Sequence, residues 1–206
     1  MVPAGSAEGE TALPAESAEQ RVGGAELSQA QMASFHALYR DQFTFVFRNL
    51  RRLGVPREQV DDALQDVFLV VLRHLGKYEA GTHGKAWLFA IALRVARNYR
   101  RSQRRRDNRL VPAATDAFSA PIDQGPFERA ASAQAAALLR NFLEGIDEDK
   151  RSVFIMTELE QLSAPEIASA LAVNLNTVYT RIRAARREFA RIVAEARQKD
   201  DAHGTR

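Results

Sequence analysis

From Phe35 onward, apolar side chains recur at steps of three and four residues. Phe35, Leu38, Tyr39, Val46, Phe47 and Leu50 share one face, and the pattern stops before Gly54 and Pro56. That period predicts a helix with one buried stripe. A second helix follows, with Val60, Ala63, Leu64, Val67, Phe68, Val71, Leu72 and Leu75 on its inner face. Residues Gly76 to Gly84 read as a glycine-containing loop. A third helix starts near Lys85 and turns Trp87, Leu88, Ile91, Val95 and Tyr99 inward, with Arg94, Arg97, Arg101 and Arg104 further round. Between Arg109 and Phe127 the period is lost, and Pro112, Pro121, Gly125 and Pro126 punctuate the chain as in a linker. An alanine-rich helix then begins near Glu128 and carries Leu138, Leu139, Phe142 and Leu143. Asp147, Glu148 and Asp149 place negative charge where the next helix starts, matching its dipole, and that helix buries Val153 and Phe154. No segment shows a strand pattern. The expected class is all-α, with two small helical domains joined by a flexible linker.

The second domain contains a helix-turn-helix pattern from Ser163 to Phe189. Ser163-Ala-Pro-Glu166 fits a capping box, with proline in the first turn where a missing amide costs nothing. Ile167, Ala168 and Leu171 form the inner stripe of a short helix, and Ala172-Val173-Asn174 forms the turn, Asn174 capping the next helix. In that helix Val178, Ile182, Ala185 and Phe189 step by four, three and four, leaving Thr177, Thr180, Arg181 and Ala184 on the adjacent face. Short side chains there let the backbone approach base edges, and an arginine pairs with guanine or binds phosphate. The competing reading is an ordinary three-helix bundle with a basic surface.

Charge distribution supports nucleic acid more than the net charge of +3 does. Eight arginines lie between Arg94 and Arg109 against Asp107 alone, and Arg181, Arg183, Arg186, Arg187 and Arg191 form a second cluster. One such run is as readily a solvated helix face. Two runs, each on a helix with its own apolar face, suggest a polyanion held in two places. Residues 1–30 instead hold five glutamates against Arg21 and lack apolar period, so residues 1–28 read as a disordered tail. Cysteine is absent, which excludes disulfides and thiolate chemistry. His74 and His83 have no partners at ligand spacing, so neither a metal nor another cofactor is expected. No apolar run approaches the roughly 18 residues that span a bilayer, and no secretory signal pattern is present, so no membrane insertion and a cytoplasmic location are expected.

The residues now resemble a known family. Glu166-Ile167-Ala168, Leu171, Val173, Thr177-Val178, Thr180-Arg181 and Ala185-Arg186 are similar to region 4 of sigma-70-type initiation factors, above all the extracytoplasmic-function (ECF) group, which keeps only regions 2 and 4. Val60-Asp61-Asp62-Ala63-Leu64-Gln65-Asp66-Val67-Phe68 resembles the family's region 2.2, and Ala86-Trp87-Leu88-Phe89 with Ile91-Ala92 resembles region 2.3. The arginine-rich continuation resembles region 2.4. The likeness covers about 35–105 and 130–192.

The resemblance implies a non-enzymatic factor that binds core RNA polymerase, through its β′ coiled coil and β flap, and directs promoter-specific initiation. Region 2 would occupy 29–107, the linker 108–128, region 4 129–195, and a C-terminal tail 196–206. Asp61, Asp62, Gln65, Asp66 and Leu69 would dock on the polymerase. Leu69 beside acidic residues is a poor DNA surface and a plausible protein surface. Lys85, Trp87, Arg94, Arg97, Asn98 and Arg101 would hold the melted −10 strand, for which a basic track and stacking rings are the physical requirement. Trp87 fits a core brace better than a base contact, and both readings stay open. Asn176, Thr177, Tyr179, Thr180, Arg181, Arg183 and Arg187 would contact the −35 duplex. An anti-sigma protein is a further partner the family implies. Arg94 and Asn98 stand where the family usually has Asn and Asp, Tyr179 and Ala184 replace basic residues, and Ala172 replaces a turn glycine. The competing functions are a free-standing helix-turn-helix regulator and, more remotely, a nucleic-acid enzyme, for which no catalytic constellation is in sight.

Overall fold

The computed structural model describes residues 28–75, Tyr78, 82–107 and 126–204. The expected tail over 1–27, most of the glycine-containing loop and the 108–125 part of the linker lie outside the described residues. Among the described residues all regular structure is helical.

Helix α1 spans Gln29–Arg52 and starts on a capping box: the Gln31 amide donates to Ser28 Oγ at 3.2 Å and the Ser28 amide to Gln31 Oε1 at 3.0 Å. It ends where Gly54 adopts φ +86, and a Cβ there would lie 3.1 Å from Arg151 Nη1. Glycine is therefore favoured there by conformation, and an added Cβ would also press on the Arg151 guanidinium. A 3₁₀ turn at Arg57–Gln59 leads into α2, Val60–Arg73, whose first turn carries Asp61 and Asp62 at the positive end of the helix dipole. Its buried face is Val60, Ala63, Leu64, Val67, Phe68 and Val71, as the period predicts.

Helix α3, Thr82–Asp107, begins three residues before the expected Lys85. It is buried almost all round from Ala86 to Ala96, including Phe89, Ala92 and Leu93, which a single inward stripe does not explain. The reason is packing on two sides: α1 and α2 cover one side and α6 of the second half covers another. A helix apolar all round is one that neighbours enclose.

In the second half, α4 spans Pro126–Gly145, so residues 126–128 of the expected linker are already helical. Asp147 caps α5, Glu148–Phe154, accepting from the Asp149 amide at 3.0 Å. The helix then widens into a π-helical stretch, Ile155–Leu159. Helix α6, Ala164–Leu171, and α7, Leu175–Gly204, complete the chain. The ring centroids of Phe142, Phe154 and Phe189 lie 4.8–5.5 Å apart, closing a core between α4, α5 and α7. Helix α7 continues well past residue 195, so the expected C-terminal tail is helical as far as Gly204.

The two halves pack directly on each other. The Glu160 carboxylate, its side chain only 4% exposed, accepts from Arg48 Nη2 at 2.9 Å and Arg52 Nη1 at 2.5 Å, both on α1. Burial is the first cause lowering the Arg52 pKa, with Glu160 opposing it. The buried Arg151 donates to the Leu53 carbonyl at 3.3 Å and to the Glu144 and Ile146 carbonyls at 3.1 and 3.3 Å. One guanidinium thus satisfies the carbonyl ends of α1 and α4 together.

Candidate nucleic-acid interface

The turn between α6 and α7 forms as the sequence predicts. Ser163 Nα donates to Glu166 Oε2 at 2.8 Å, the Glu166 amide returns to Ser163 Oγ at 3.5 Å, and Pro165 sits in the first turn. Asn174 caps α7, its Oδ1 accepting from the Asn176 amide at 2.8 Å. Between them Ala172 adopts the left-handed conformation, φ 51 and ψ 46, which a glycine fills without strain. Ile167, Val178, Ile182 and Ala185 are buried, so the hinge of the motif is a packed one.

The outward face of α7 is rotated relative to the one the sequence suggests. Asn176, Tyr179, Thr180, Arg183 and Arg187 are exposed, whereas Thr177, Arg181 and Ala184 are half-buried. Arg181 turns toward α5 and pairs with Asp149. The cause is the acidic first turn of α5, which the dipole argument places correctly but whose side chains reach the neighbouring cations. Leu175, which falls off the Val178 period, joins the exposed face. Its place just after the capping Asn174 was the available signal.

On α3, Lys85, Arg94, Asn98 and Arg101 are exposed. Trp87 is half-buried, packed against the core with its ring 6.1 Å from that of Tyr78, in keeping with the bracing role. Arg97 pairs with Glu148 and, at 3.2 Å, with Asp149, while Arg100 Nη1 donates to Glu148 Oε2 at 2.9 Å. Arg97, Arg100, Arg101 and Glu148 line a cleft of about 290 Å³. The structure therefore brings Arg97 and Arg100 of the first arginine cluster and Arg181 of the second to one place, around the carboxylates that open α5. Sequence spacing carries no sign of this, because the partners lie 32 to 52 residues apart.

The α2 surface is arranged as expected: Asp61, Asp62, Gln65 and Asp66 are exposed, and Leu69 stands 44% exposed beside them. Tyr99 of α3 adds a contact that the sequence reading missed, donating to Asp66 Oδ2 at 2.8 Å. Burial and this bond to Asp66 push the Tyr99 pKa up to about 12. Aromatic side chains extend the surface along α1, where Tyr39 lies 4.5 Å from Phe68 and 5.6 Å from Phe43, centroid to centroid. Among the described residues no three metal-ligating side chains group together. No helix among them is long and apolar enough to cross a membrane.

The chain matches known proteins in both halves. Residues 38–106 match sigma-70 region 2 and residues 136–189 match sigma-70, region 4. It is 30% identical over 153 residues to the RNA polymerase sigma factor CarQ of Myxococcus xanthus, covering 66% of this chain and 82% of that one. It is 28% identical over 167 residues to the ECF RNA polymerase sigma factor SigE of Mycolicibacterium smegmatis, covering 81% of this chain and 64% of that one. The fold is also that of CnrH, solved in complex with the cytosolic domain of CnrY, with a TM-score of 0.57 at 23% identity, covering 80% and 90% of the two chains.

Proposed function

Because this chain belongs to the sigma-70 family, in its ECF group, and so directs promoter-specific initiation by RNA polymerase, we propose how its surfaces divide that work. Residues 29–107 act as region 2 and 129–195 as region 4. Asp61, Asp62, Gln65, Asp66 and Leu69 dock on the β′ coiled coil of core polymerase, and region 4 reaches the β flap. Lys85, Arg94, Arg97, Asn98 and Arg101 follow the melted −10 strand, with Trp87 bracing the helix that carries them. Asn176, Tyr179, Thr180, Arg183 and Arg187 meet the −35 duplex, and Thr177 and Arg181 flank that contact.

The observation that carries this reading is the pairing, in one chain, of a helix-turn-helix with an acidic surface centred on an exposed leucine. DNA repels the acidic surface, so a protein is its natural partner. A factor that occupies the promoter only with polymerase needs both surfaces, and a free-standing regulator needs only the first.

Run-off transcription with purified core enzyme tests the reading. Promoter-dependent transcripts are expected from the reconstituted holoenzyme, with weak DNA binding by the chain alone. Leu69→Asp should abolish core binding and transcription together while leaving the thermal melt unchanged, since Leu69 is exposed. Tight operator binding without polymerase would instead establish the regulator. An inhibitory protein partner of the anti-sigma kind belongs to the same reading, and the likeness to CnrH, captured with a cytosolic domain of another protein, supports it. The factor's place of work is the cytoplasm, where core polymerase is found.

A further inference from the structure

Among the described residues of the second half, two large apolar side chains stand exposed, Leu175 at 38% and Tyr179 at 52%. They are four residues apart at the start of α7, one helical turn along the same face. Some of the polar groups around them have their donors engaged within the protein. Thr180 Oγ1 donates to the Asn176 carbonyl at 2.8 Å, so its proton is used within the helix. Arg181 is turned away onto Asp149, and Arg186 pairs with Glu158 at 2.7 Å. Asn176 and Arg183 complete the face, and Arg187 extends it along the helix.

We propose that Leu175 and Tyr179 form an apolar pair that determines −35 specificity by packing against thymine 5-methyl groups in the major groove. This rests on the reading of α6–α7 as the −35 reader. The thymine methyl is the one apolar group that base edges present in that groove. A leucine and a tyrosine at the N-terminal end of a recognition helix stand where such helices contact base edges. Arg183 and Arg187, exposed on the same helix, match a polyanion, which selects duplex DNA over an apolar protein as the occupant. Asn176 beside them suits adenine, whose partner is thymine, so one strand's contact reinforces the other's.

The test uses holoenzyme reconstituted from the full chain and core polymerase. Random-sequence duplexes are selected on it, the enriched upstream element is sequenced, and each thymine in that element is then replaced by uracil. The replacement removes one methyl and keeps the base pair. At one or two positions the uracil duplex should bind about fourfold more weakly, the equivalent of the ~0.8 kcal/mol of one buried methylene-sized group. Leu175→Ala and Tyr179→Ala should erase the preference for thymine over uracil while retaining affinity for the uracil duplex. Tyr179→Phe, which keeps the ring, should preserve the preference. An enriched element whose thymine and uracil forms bind equally overturns the pair and leaves the −35 reading standing, as does undiminished discrimination in Leu175→Ala. Failure to enrich any upstream element overturns both.

Discussion

Ala172 is held at φ 51 by the tight turn between α6 and α7, and it is exposed, so its methyl packs against little. For an L-residue this conformation costs about 1–2 kcal/mol, part of which glycine returns as unfolded-state entropy. Ala172→Gly should therefore stabilise the chain by about 0.5–1 kcal/mol, seen as a rise of a few degrees in thermal unfolding. A lower melting temperature would mean that the methyl makes a contact of its own. Tyr99 gives a pH signature. Its folded pKa, about 12, lies above the ordinary value of 10.0 because the phenol is partly buried and donates to Asp66. A raised pKa favours the protonated form in the folded state, so this contact stabilises fully below pH 10 and is lost as pH climbs toward 12. Burial also raises the Tyr78 pKa, so phenolate absorbance should show late-titrating tyrosine, and Tyr99→Phe should remove the step near pH 12.

At the scale of elements, the starts of α6 and α7 were legible because their caps are local chemistry, whereas α1, α3 and α4 begin earlier than expected. Ser163 and Glu166 are three residues apart in the sequence and bonded in the fold, and Asn174 likewise caps α7. Ser163→Ala should cost about 1 kcal/mol of stability by denaturant unfolding, as an exposed cap does. The inner stripes of α2 and α7 were legible for the same reason, since a period of 3.6 records one buried face, whereas on α1 Tyr39 of the expected stripe is exposed and Phe45 is buried instead. Three features were not. The π-helical stretch at Ile155–Leu159 leaves no mark in the period. The burial of Phe89, Ala92 and Leu93 depends on α6 covering a second side of α3. The turning of Arg181 onto Asp149 is a contact across thirty-two residues, chosen by charge rather than by spacing. Candidate site residues were thus identified by type and helix, while their exposure was settled by neighbours from elsewhere in the chain.

Across the whole molecule, two kinds of ion pair join the halves. Glu160, 4% exposed, is enclosed by Arg48 and Arg52, whereas the Arg97–Glu148 pair is 41% and 32% exposed. Removing Glu160 strands Arg52, whose side chain is only 13% exposed, so Glu160→Ala should cost about 3 kcal/mol in denaturant unfolding. Salt screens the exposed pairs and hardly touches the enclosed one. Hydrogen exchange at rising ionic strength should therefore loosen the start of α5 before it loosens the end of α1. Promoter contact requires more than loosening. Elements some 25 base pairs apart are roughly 85 Å distant at 3.4 Å per pair. The chain between Asp107 and Pro126 reaches about 60 Å when fully drawn out, at roughly 3.3 Å per residue. On the proposed division of the two contacts between the halves, they are expected to part when both elements are held at once.

Asp149 gives that parting a quantitative meaning. One carboxylate pairs with Arg97 from the first half and Arg181 from the second. On the proposed assignment of Arg97 and Arg181 to DNA, phosphate must displace this carboxylate from both guanidinium groups. For the unaccompanied chain, apparent DNA affinity is then the intrinsic affinity multiplied by the fraction of molecules already open. Each 1.4 kcal/mol or so favouring closure lowers that affinity tenfold, and any partner that binds only the open form restores it by the same factor.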